Sequence, residues 1–397
     1  MSTAPSERLF TWRFASLWLF QFGTFFSAFQ LLPVIPMRMV ALGGSKAAAG
    51  MFLFVYTFAS AFAAPIMGTI GDHIGRRKLL VIASLLFVVF SVLYGVVPWM
   101  PLLLLIGVIH GAIWSGIMAS AGAIMTDFIP PSRRTEGLGY WGLASTLAIA
   151  IAPAAGMQVY RLGWLTLCLE IAALSAIMAV WGARIPGGTQ TDRAAKFPRI
   201  AELWDPQVIR TAVAFSAVSF GYGGITSYVA LLSQERGIHP ESLFFSVFAS
   251  AIIGVRIFVM PFIANRVGTK ALLFPGFIAM PISFALLSIA DTQAKMITAA
   301  ILFGIGLGIS FPAFMTFVVT HTDETKRGRT FGSVIFAFDT GIGLGSFVIG
   351  MIGERTSLGT AFAVAAAIGC LAIPIFVVTS KRMEGTRVAE NADHAGT

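Results

Sequence analysis

Acidic residues are scarce in this chain of 397 residues: only 18 are Asp or Glu, and charged residues of both signs make up 11% of the sequence. A soluble globular chain is about one-quarter charged. Because 57% of the residues are hydrophobic, the polar side chains are too few to cover a surface in water. The scarcity of charge therefore excludes an ordinary soluble protein and indicates a chain solvated by lipid.

Cysteine is equally rare, since Cys168 and Cys370 are the only two, and both lie inside apolar runs. This excludes a disulfide framework and a zinc site of the usual spacing. The sequence also lacks a nucleophile–base pattern, a metal-ligand cluster and a phosphate-binding loop. We therefore expect that the protein is not an enzyme and that it binds neither a cofactor nor a metal. The net charge of +9 indicates membrane topology here rather than a nucleic-acid partner.

Long apolar runs occupy most of the chain. A bilayer core of about 30 Å requires roughly 20 apolar residues in a helix. Twelve stretches meet this requirement and predict an all-α integral membrane protein. Their approximate limits are 14–36, 47–70, 79–97, 101–125, 137–160, 163–184, 207–232, 243–264, 271–290, 296–319, 330–352 and 360–380.

Positive charge is concentrated in alternate loops. If both termini are cytoplasmic, 20 of the 27 basic residues lie on the cytoplasmic side and six on the other, while Arg256 falls inside a span. Lys and Arg are enriched in cytoplasmic loops, so this bias predicts a multi-pass protein with both termini inside. The short loops favour the inner membrane of a bacterium, and an organellar membrane remains open.

A polar segment near the middle of the chain separates two groups of six spans. It contains prolines, glycines and charges, as a linker does. We expect a monomer in contact with membrane lipids. The predicted divisions are an N-terminal six-helix bundle at 1–184, a cytoplasmic linker at 185–206, a C-terminal six-helix bundle at 207–382 and a disordered cytoplasmic tail at 383–397.

The sequence GTIGDHIGRRK, residues 68–78, lies between the second and third spans. A shift of 193 residues places a degenerate copy, PFIANRVGTK, between the eighth and ninth spans, which favours two parallel repeats. The first copy closely resembles the G-x-x-x-D-x-x-G-R-R-K signature of the major facilitator superfamily. The resemblance implies that family's fold, twelve transmembrane helices in two pseudo-symmetric six-helix bundles.

The resemblance also implies roles for individual residues. In the family the motif aspartate, here Asp72, is thought to latch the two halves together while the transporter faces outward. The corresponding motif residues are Gly68, Asp72, Gly75, Arg76 and Arg77. A positive-inside loop alone is the alternative, and it explains the basic residues but not the aspartate or the glycine spacing.

The fifth span contains a second resemblance. Its stretch AIAIAPAAG, residues 148–156, is similar to the antiporter motif G-x-x-x-G-P-x-x-G, with alanine at two glycine positions. Pro153 and Gly156 fit either this exporter motif or plain helix packing. Many exporters carry an arginine in the fourth span, where this chain has Gly107. Proton coupling therefore uses other residues or is absent.

Ionisable residues inside spans cost roughly 2.5–3.5 kcal/mol each, so each requires a reason. Arg256 and Asp339 are at similar depths, about 13 and 15 Å from the cytoplasmic ends of their helices, which predicts an ion pair that is either structural or a switch. Glu170 suits a packing or lipid-interface position, with coupling as the alternative. His110 is either a hydrogen-bonding core residue or a proton carrier.

In this family the first, fourth, seventh and tenth spans line the central path. Aromatic and neutral polar residues are common there, which suits a lipophilic or amphiphilic compound better than a sugar or a multiply charged anion. Helix packing is the alternative for such aromatic residues. The predicted cavity residues are Gln21, Phe25, Phe29, Trp114, Tyr222, Tyr228 and Phe311.

These features predict a secondary active transporter, similar to the drug and metabolite efflux branch of the superfamily. We expect export of a small lipophilic or amphiphilic compound by alternating access, with protons as the coupling ion. Proton-linked or facilitated uptake of a small nutrient is the first alternative. A membrane protein that binds its ligand without transporting it is the second.

Overall fold

The computed structural model describes residues 8–130, 133–187, 191–192, 197, 205–260, 266–322 and 327–395. These residues form fourteen α-helices and one π-helical turn, and no strand occurs among them. The helices are α1 (Trp12–Leu31), α2 (Ile35–Ala41), α3 (Lys46–Ile74), α4 (Arg76–Val96), α5 (Met100–Phe128), α6 (Arg134–Tyr160), α7 (Trp164–Arg184), α8 (Pro206–Glu235), α9 (Leu243–Gly254), α10 (Thr269–Ser288), α11 (Gln293–Thr320), α12 (Arg327–Arg355), α13 (Leu358–Cys370) and α14 (Ala372–Ala395).

Within the described residues, eleven helical stretches are long and apolar enough to cross a membrane. They correspond to eleven of the twelve predicted spans. The eighth predicted span, 243–264, begins with the shorter apolar helix Leu243–Val259 and ends outside the described residues. The all-α membrane fold expected from the hydropathy is confirmed, because eleven of the long apolar runs form spanning helices, and a helix satisfies its own backbone hydrogen bonds.

The chain divides into two compact units. The first unit comprises Met1–Val34 and Phe62–Phe197. Here α1 packs against α6 and α7, and α4 packs against α5 and α7. The indole Nε1 of Trp164 donates to the backbone oxygen of Tyr94 at 2.8 Å, which fixes the start of α7 against the end of α4.

The second unit comprises Ile35–Ala61 and Pro198–Thr397. Its largest interface is between α8 and α12, and α10 packs against α11 and α13. Small residues allow α8 and α12 to approach closely, as is common for membrane helices. A Cβ atom at Gly345 would overlap the backbone carbonyl of Phe220, so only glycine fits at this crossing.

The division between the units falls at Phe197, inside the predicted linker, and Ile35–Ala61 packs with the second unit rather than the first. Helix α14 runs as far as Ala395. The disordered tail predicted from residue 383 stays a prediction.

Candidate functional site

The motif between the second and third spans lies at the junction of α3 and α4. Asp72 Oδ1 accepts hydrogen bonds from Arg76, at 2.9 Å from both Nε and Nη2. Arg76 Nη1 also lies 3.8 Å from Asp127 Oδ2 at the end of α5. The Asp72 and Arg76 side chains are each about one-third exposed, so solvent screens this pair. The arginine thus connects the ends of three helices.

Gly75 is the single residue between α3 and α4, and its backbone has a φ of +96°. Residues with a Cβ atom rarely adopt this conformation, so the turn requires glycine. Gly68 is different, because a Cβ atom there would make ordinary contact with Ala119 at 3.9 Å. Arg77 is half-exposed beside the turn. Of these two motif glycines, Gly75 is therefore required by the turn between α3 and α4, whereas Gly68 is not required by close helix packing.

The central linker contacts the same junction, which the sequence did not indicate. The backbone N–H of Asp192 donates to the backbone oxygen of Asp72 at 2.8 Å. The Phe197 ring stacks on His73, with ring centroids 5.5 Å apart. All four residues belong to the first unit, so the start of the linker is held on the motif.

The motif residues of the fifth span lie in α6, where Pro153 is inside the helix. A Cβ atom at Gly156 would lie 2.6 Å from the backbone oxygen of Gln30 in α1. The Gln30 side chain in turn donates from Nε2 to Glu170 Oε1 at 3.1 Å. The structure thus brings together a motif glycine and an intramembrane carboxylate that the sequence presented separately.

His110 is buried in the first unit, against α4. Its Nδ1 lies 3.2 Å from the hydroxyl of Tyr94, and its ring packs edge-on against Phe87 at 4.2 Å. Trp114, one turn further along α5, packs against both Phe87 and Phe25. These contacts place His110 in the interface between α4 and α5, as expected for a hydrogen-bonding core histidine.

The predicted cavity residues of α1 form one aromatic group. Phe25 stacks with Phe29 at 5.6 Å and meets Trp114 edge-on at 4.9 Å. Phe25 and Phe29 are half-exposed, whereas Gln21 and Trp114 are buried. The two phenylalanines therefore offer an apolar surface, and Gln21 is placed in the packed interior of the unit.

The structure does not form the predicted ion pair between Arg256 and Asp339, since the ion pairs among the described residues do not include it. Arg256 lies in the π-helical turn Val255–Val259, which packs against α9 and α11. Asp339 lies in α12, whose largest interface is with α8. The number of residues from the cytoplasmic end of each helix predicts the depth of the side chain in the membrane. It does not predict which neighbouring helix the side chain faces.

Asp339 instead lies within electrostatic reach of Tyr56 in the first half of α3. One turn further along α12, a Cβ atom at Gly343 would overlap the hydroxyl of Thr57. The helices are therefore very close at this point. Tyr56 and Thr57 were not among the site residues predicted from the sequence. Two adjacent polar residues inside an apolar span are the signal that could have identified them.

The predicted cavity residues of the second unit are mostly packed inside it. Tyr222 is 8% exposed and contacts Phe303 and Phe338, and Phe311 lies edge-on to Phe338 at 5.3 Å. Tyr228 is fully buried, and its hydroxyl donates to the backbone oxygen of Lys46 at 2.6 Å. The Tyr228 ring and hydroxyl join α8 to the start of α3, and its assignment to the cavity stays a prediction.

Apolar spanning helices in two units, with a charged motif at the α3–α4 junction, define a polytopic membrane transporter. A sequence model described as Major Facilitator Superfamily matches residues 17–346 and 258–395. The chain belongs to this superfamily, and it is a transporter rather than an enzyme.

Curated relatives are bacterial transporters at low identity. The staphylopine export protein of Staphylococcus aureus is 21% identical over 399 residues, covering 96% of this chain and 98% of the relative. Multidrug resistance protein 2 of Bacillus subtilis is 20% identical over 355 residues, covering 86% and 84%. The first name describes export by that protein, and the second describes resistance to many drugs.

Solved transporter structures share the fold. A crystal structure of the peptide transporter POT aligns with a TM-score of 0.77 at 12% identity and covers 93% of this chain and 94% of that one. The nucleoside transporter NupG aligns with a TM-score of 0.75 at 15% identity, covering 92% and 99%. The expected superfamily fold is confirmed by these similarities.

Proposed function

We propose that this protein exports a small lipophilic or amphiphilic compound from the cytoplasm by alternating access, in exchange for protons that move inward. The protein lies in a bacterial inner membrane with both termini in the cytoplasm. The names of the curated relatives, an export protein and multidrug resistance proteins, support the direction. The aromatic surface of Phe25 and Phe29 supports an apolar substrate.

One observation carries the proton coupling. Asp339 is an acidic side chain in the middle of the membrane-spanning helix α12, and within the described residues it has no ion pair. An intramembrane carboxylate is costly when ionised and is a common element of proton relays in transporters. Protonation of Asp339 removes its charge and changes its interaction with Tyr56 in α3.

The motif at the α3–α4 junction then has a conformational role rather than a binding role. Asp72 is held by Arg76 at the end of α3, and the linker is attached to the same residue. Breaking and remaking such a partly exposed pair costs little free energy. This supports a latch that opens and closes in each transport cycle.

Facilitated or proton-linked uptake remains the second candidate. It is favoured by the absence of an arginine at Gly107 and by the alanines in the α6 motif. Both features depart from the pattern of proton-coupled exporters. The direction of transport therefore has to be measured together with the coupling.

The direction is tested with membrane vesicles of both orientations that contain the protein. Fluorescent quaternary ammonium dyes, which carry no titratable amine, and neutral lipophilic dyes are added outside, with and without an imposed pH gradient. Export predicts accumulation in everted vesicles with an acidic interior and loss of accumulation when an uncoupler collapses the gradient. Accumulation only in right-side-out vesicles would establish uptake and contradict the proposal.

A further inference from the structure

A row of buried polar side chains joins α1 to α7 in the first unit. Gln30 bonds to Glu170, and one turn earlier in α1 the Ser27 hydroxyl lies 3.1 Å from the Ser175 hydroxyl. Gly23, a further turn back, is against Met178. The contacts follow an antiparallel order, so the two polar pairs lie in succession along the same interface. We call these pairs the α1–α7 polar row.

The row ends in a small cavity between α1, α4 and α7. Its lining consists of Thr24, Ser27, Ser84, Phe87, Ser175 and Met178. Four of these six side chains carry hydroxyl groups. A buried water molecule is found where two to four polar partners converge, and this lining provides them.

Thr24 gives an independent indication that the cavity holds a polar ligand. Its side chain is 3% exposed and lines the cavity, yet its Oγ1 has no hydrogen-bond partner within the described part of the chain. Leaving a buried hydroxyl unbonded costs free energy comparable to a lost hydrogen bond. A water molecule in the cavity would provide Thr24 Oγ1 with a hydrogen-bond partner.

The other end of the row is a carboxyl group that is only partly satisfied. Glu170 Oε1 accepts from Gln30, which is 1% exposed, while Oε2 is buried and has no hydrogen bond among the described residues. Glu170 as a whole is half-buried, but a charged oxygen that is shielded from solvent and makes no hydrogen bond is costly, and a proton on that oxygen removes the charge. The Glu170 carboxyl group can therefore be neutral at this position when Oε2 carries a proton and ionised when that proton is released.

Other ionisable groups lie at the same end of the unit. They are Tyr94 in α4, and Tyr160 and Arg161 at the end of α6, beside the first residue of α7. The structure records no ion pair of Glu170 with any of them within the described residues. Among the described residues, the hydrogen bond recorded for the Glu170 side chain is the one from Gln30.

We infer that Glu170 is a second proton-binding site of the transporter and that the α1–α7 polar row, with water in the Thr24 cavity, carries protons to and from it. This inference rests on the proposed proton coupling and adds a site in the first unit to Asp339 in the second. Gln30 is a positioning residue, since it holds the Glu170 carboxyl while its own backbone is fixed against Gly156.

The site is tested by infrared difference spectroscopy of the whole protein in lipid vesicles, between high and low pH. Protonated buried carboxyl groups absorb apart from carboxylates, so Glu170→Gln is expected to remove one such band and Asp339→Asn another. Gln30→Leu is expected to shift the Glu170 band, because the hydrogen bond from Gln30 is lost. A spectrum unchanged by Glu170→Gln would overturn the inference.

The path is tested separately by the rate at which the Glu170 band responds to deuterated buffer. Thr24→Val and Ser175→Ala are expected to slow this exchange by about fivefold to tenfold, the change that corresponds to one lost hydrogen bond. Ser91→Ala is the matched control, since Ser91 is buried in α4 but bonds only to Phe87 of its own helix. Equal rates in all three variants would refute the path.

These spectra do not require transport, so the inference and the proposed function fail independently. If the vesicles show no proton movement but the Glu170 band titrates, the site stands and the proton-coupled export is refuted. If protons move with substrate and the Glu170 band is absent, the export stands and the second site is refuted.

Discussion

At the scale of single residues, the same chemical group has different roles in different surroundings. Asp72 and Asp291 each lie four residues before a basic partner, Arg76 and Lys295. The hydrogen bond from Lys295 lowers the pKa of Asp291, which lies exposed in the loop before α11. Asp339 is inside a spanning helix and has no such partner among the described residues. The first two are suited to surface pairing, and the third to binding a proton.

Asp72→Asn is expected to reduce the transport rate strongly while expression and thermal stability change little. A pair that is one-third exposed contributes about 1 kcal/mol or less, so the loss of activity would come from the latch and not from unfolding. Transport in vesicles and thermal unfolding in detergent measure the two effects. Asp291→Asn is the control, because it removes the same charge from a similar pair. Normal turnover by Asp72→Asn rules out the latch.

At the scale of helices, the space available for a Cβ atom at a glycine depends on whether another helix packs against that glycine. In α6, a Cβ atom at Gly156 meets the Gln30 backbone at 2.6 Å, whereas a Cβ atom at Gly142 meets nothing within 4 Å. The α6 motif is therefore explained in part by close packing against α1. The sequence presented packing and antiporter function as alternatives, and the contact with Gln30 supports the first without excluding the second.

Gly156→Ala is expected to destabilise the protein by about 1–3 kcal/mol, the usual cost of overpacking. Gly142→Ala is expected to be neutral or to stabilise by up to about 1 kcal/mol, because alanine is the better helix former. Thermal unfolding of the two variants in the same detergent compares them directly. Equal stability of the two variants would show that the α1–α6 contact is looser than the structure indicates.

At the scale of the whole molecule, helix α3 is the element that the sequence described least well. Its first part, up to Ala61, packs in the second unit, and the remainder packs in the first. Pro65 lies inside this helix a few residues after the division, but a proline alone does not show which unit each part of the helix joins. In the second unit, Tyr228 and Ser346 bond to the backbone oxygens of Lys46 and Gly50.

Tyr228→Phe removes the hydrogen bond to Lys46 and is expected to lower the stability of the second unit by about 1 kcal/mol, a typical value for one hydrogen bond. Tyr140→Phe is the matched control, since Tyr140 is an exposed residue of α6. Thermal unfolding of both variants tests the contact. A Tyr228→Phe variant as stable as the control would mean that this bond does not hold the start of α3.

The sequence was sufficient for features that depend on local composition. The apolar runs predicted the spanning helices, and the GTIGDHIGRRK stretch predicted the family and a tight turn at its glycines. Features that depend on which helix faces which were not accessible. Arg256 and Asp339 have similar depths in the membrane, but their helices pack against different neighbours. The hydrogen bond between Gln30 and Glu170 likewise became visible only in the folded protein.

The measurement that tests the central claim most directly uses everted vesicles that are energised to an acidic interior and contain a pH-sensitive dye. We predict that lipophilic compounds cause rapid alkalinisation, that Asp339→Asn abolishes it, and that Asp291→Asn leaves it unchanged. Compounds that accumulate without any change in internal pH would contradict proton-coupled export and establish a facilitator or another coupling ion.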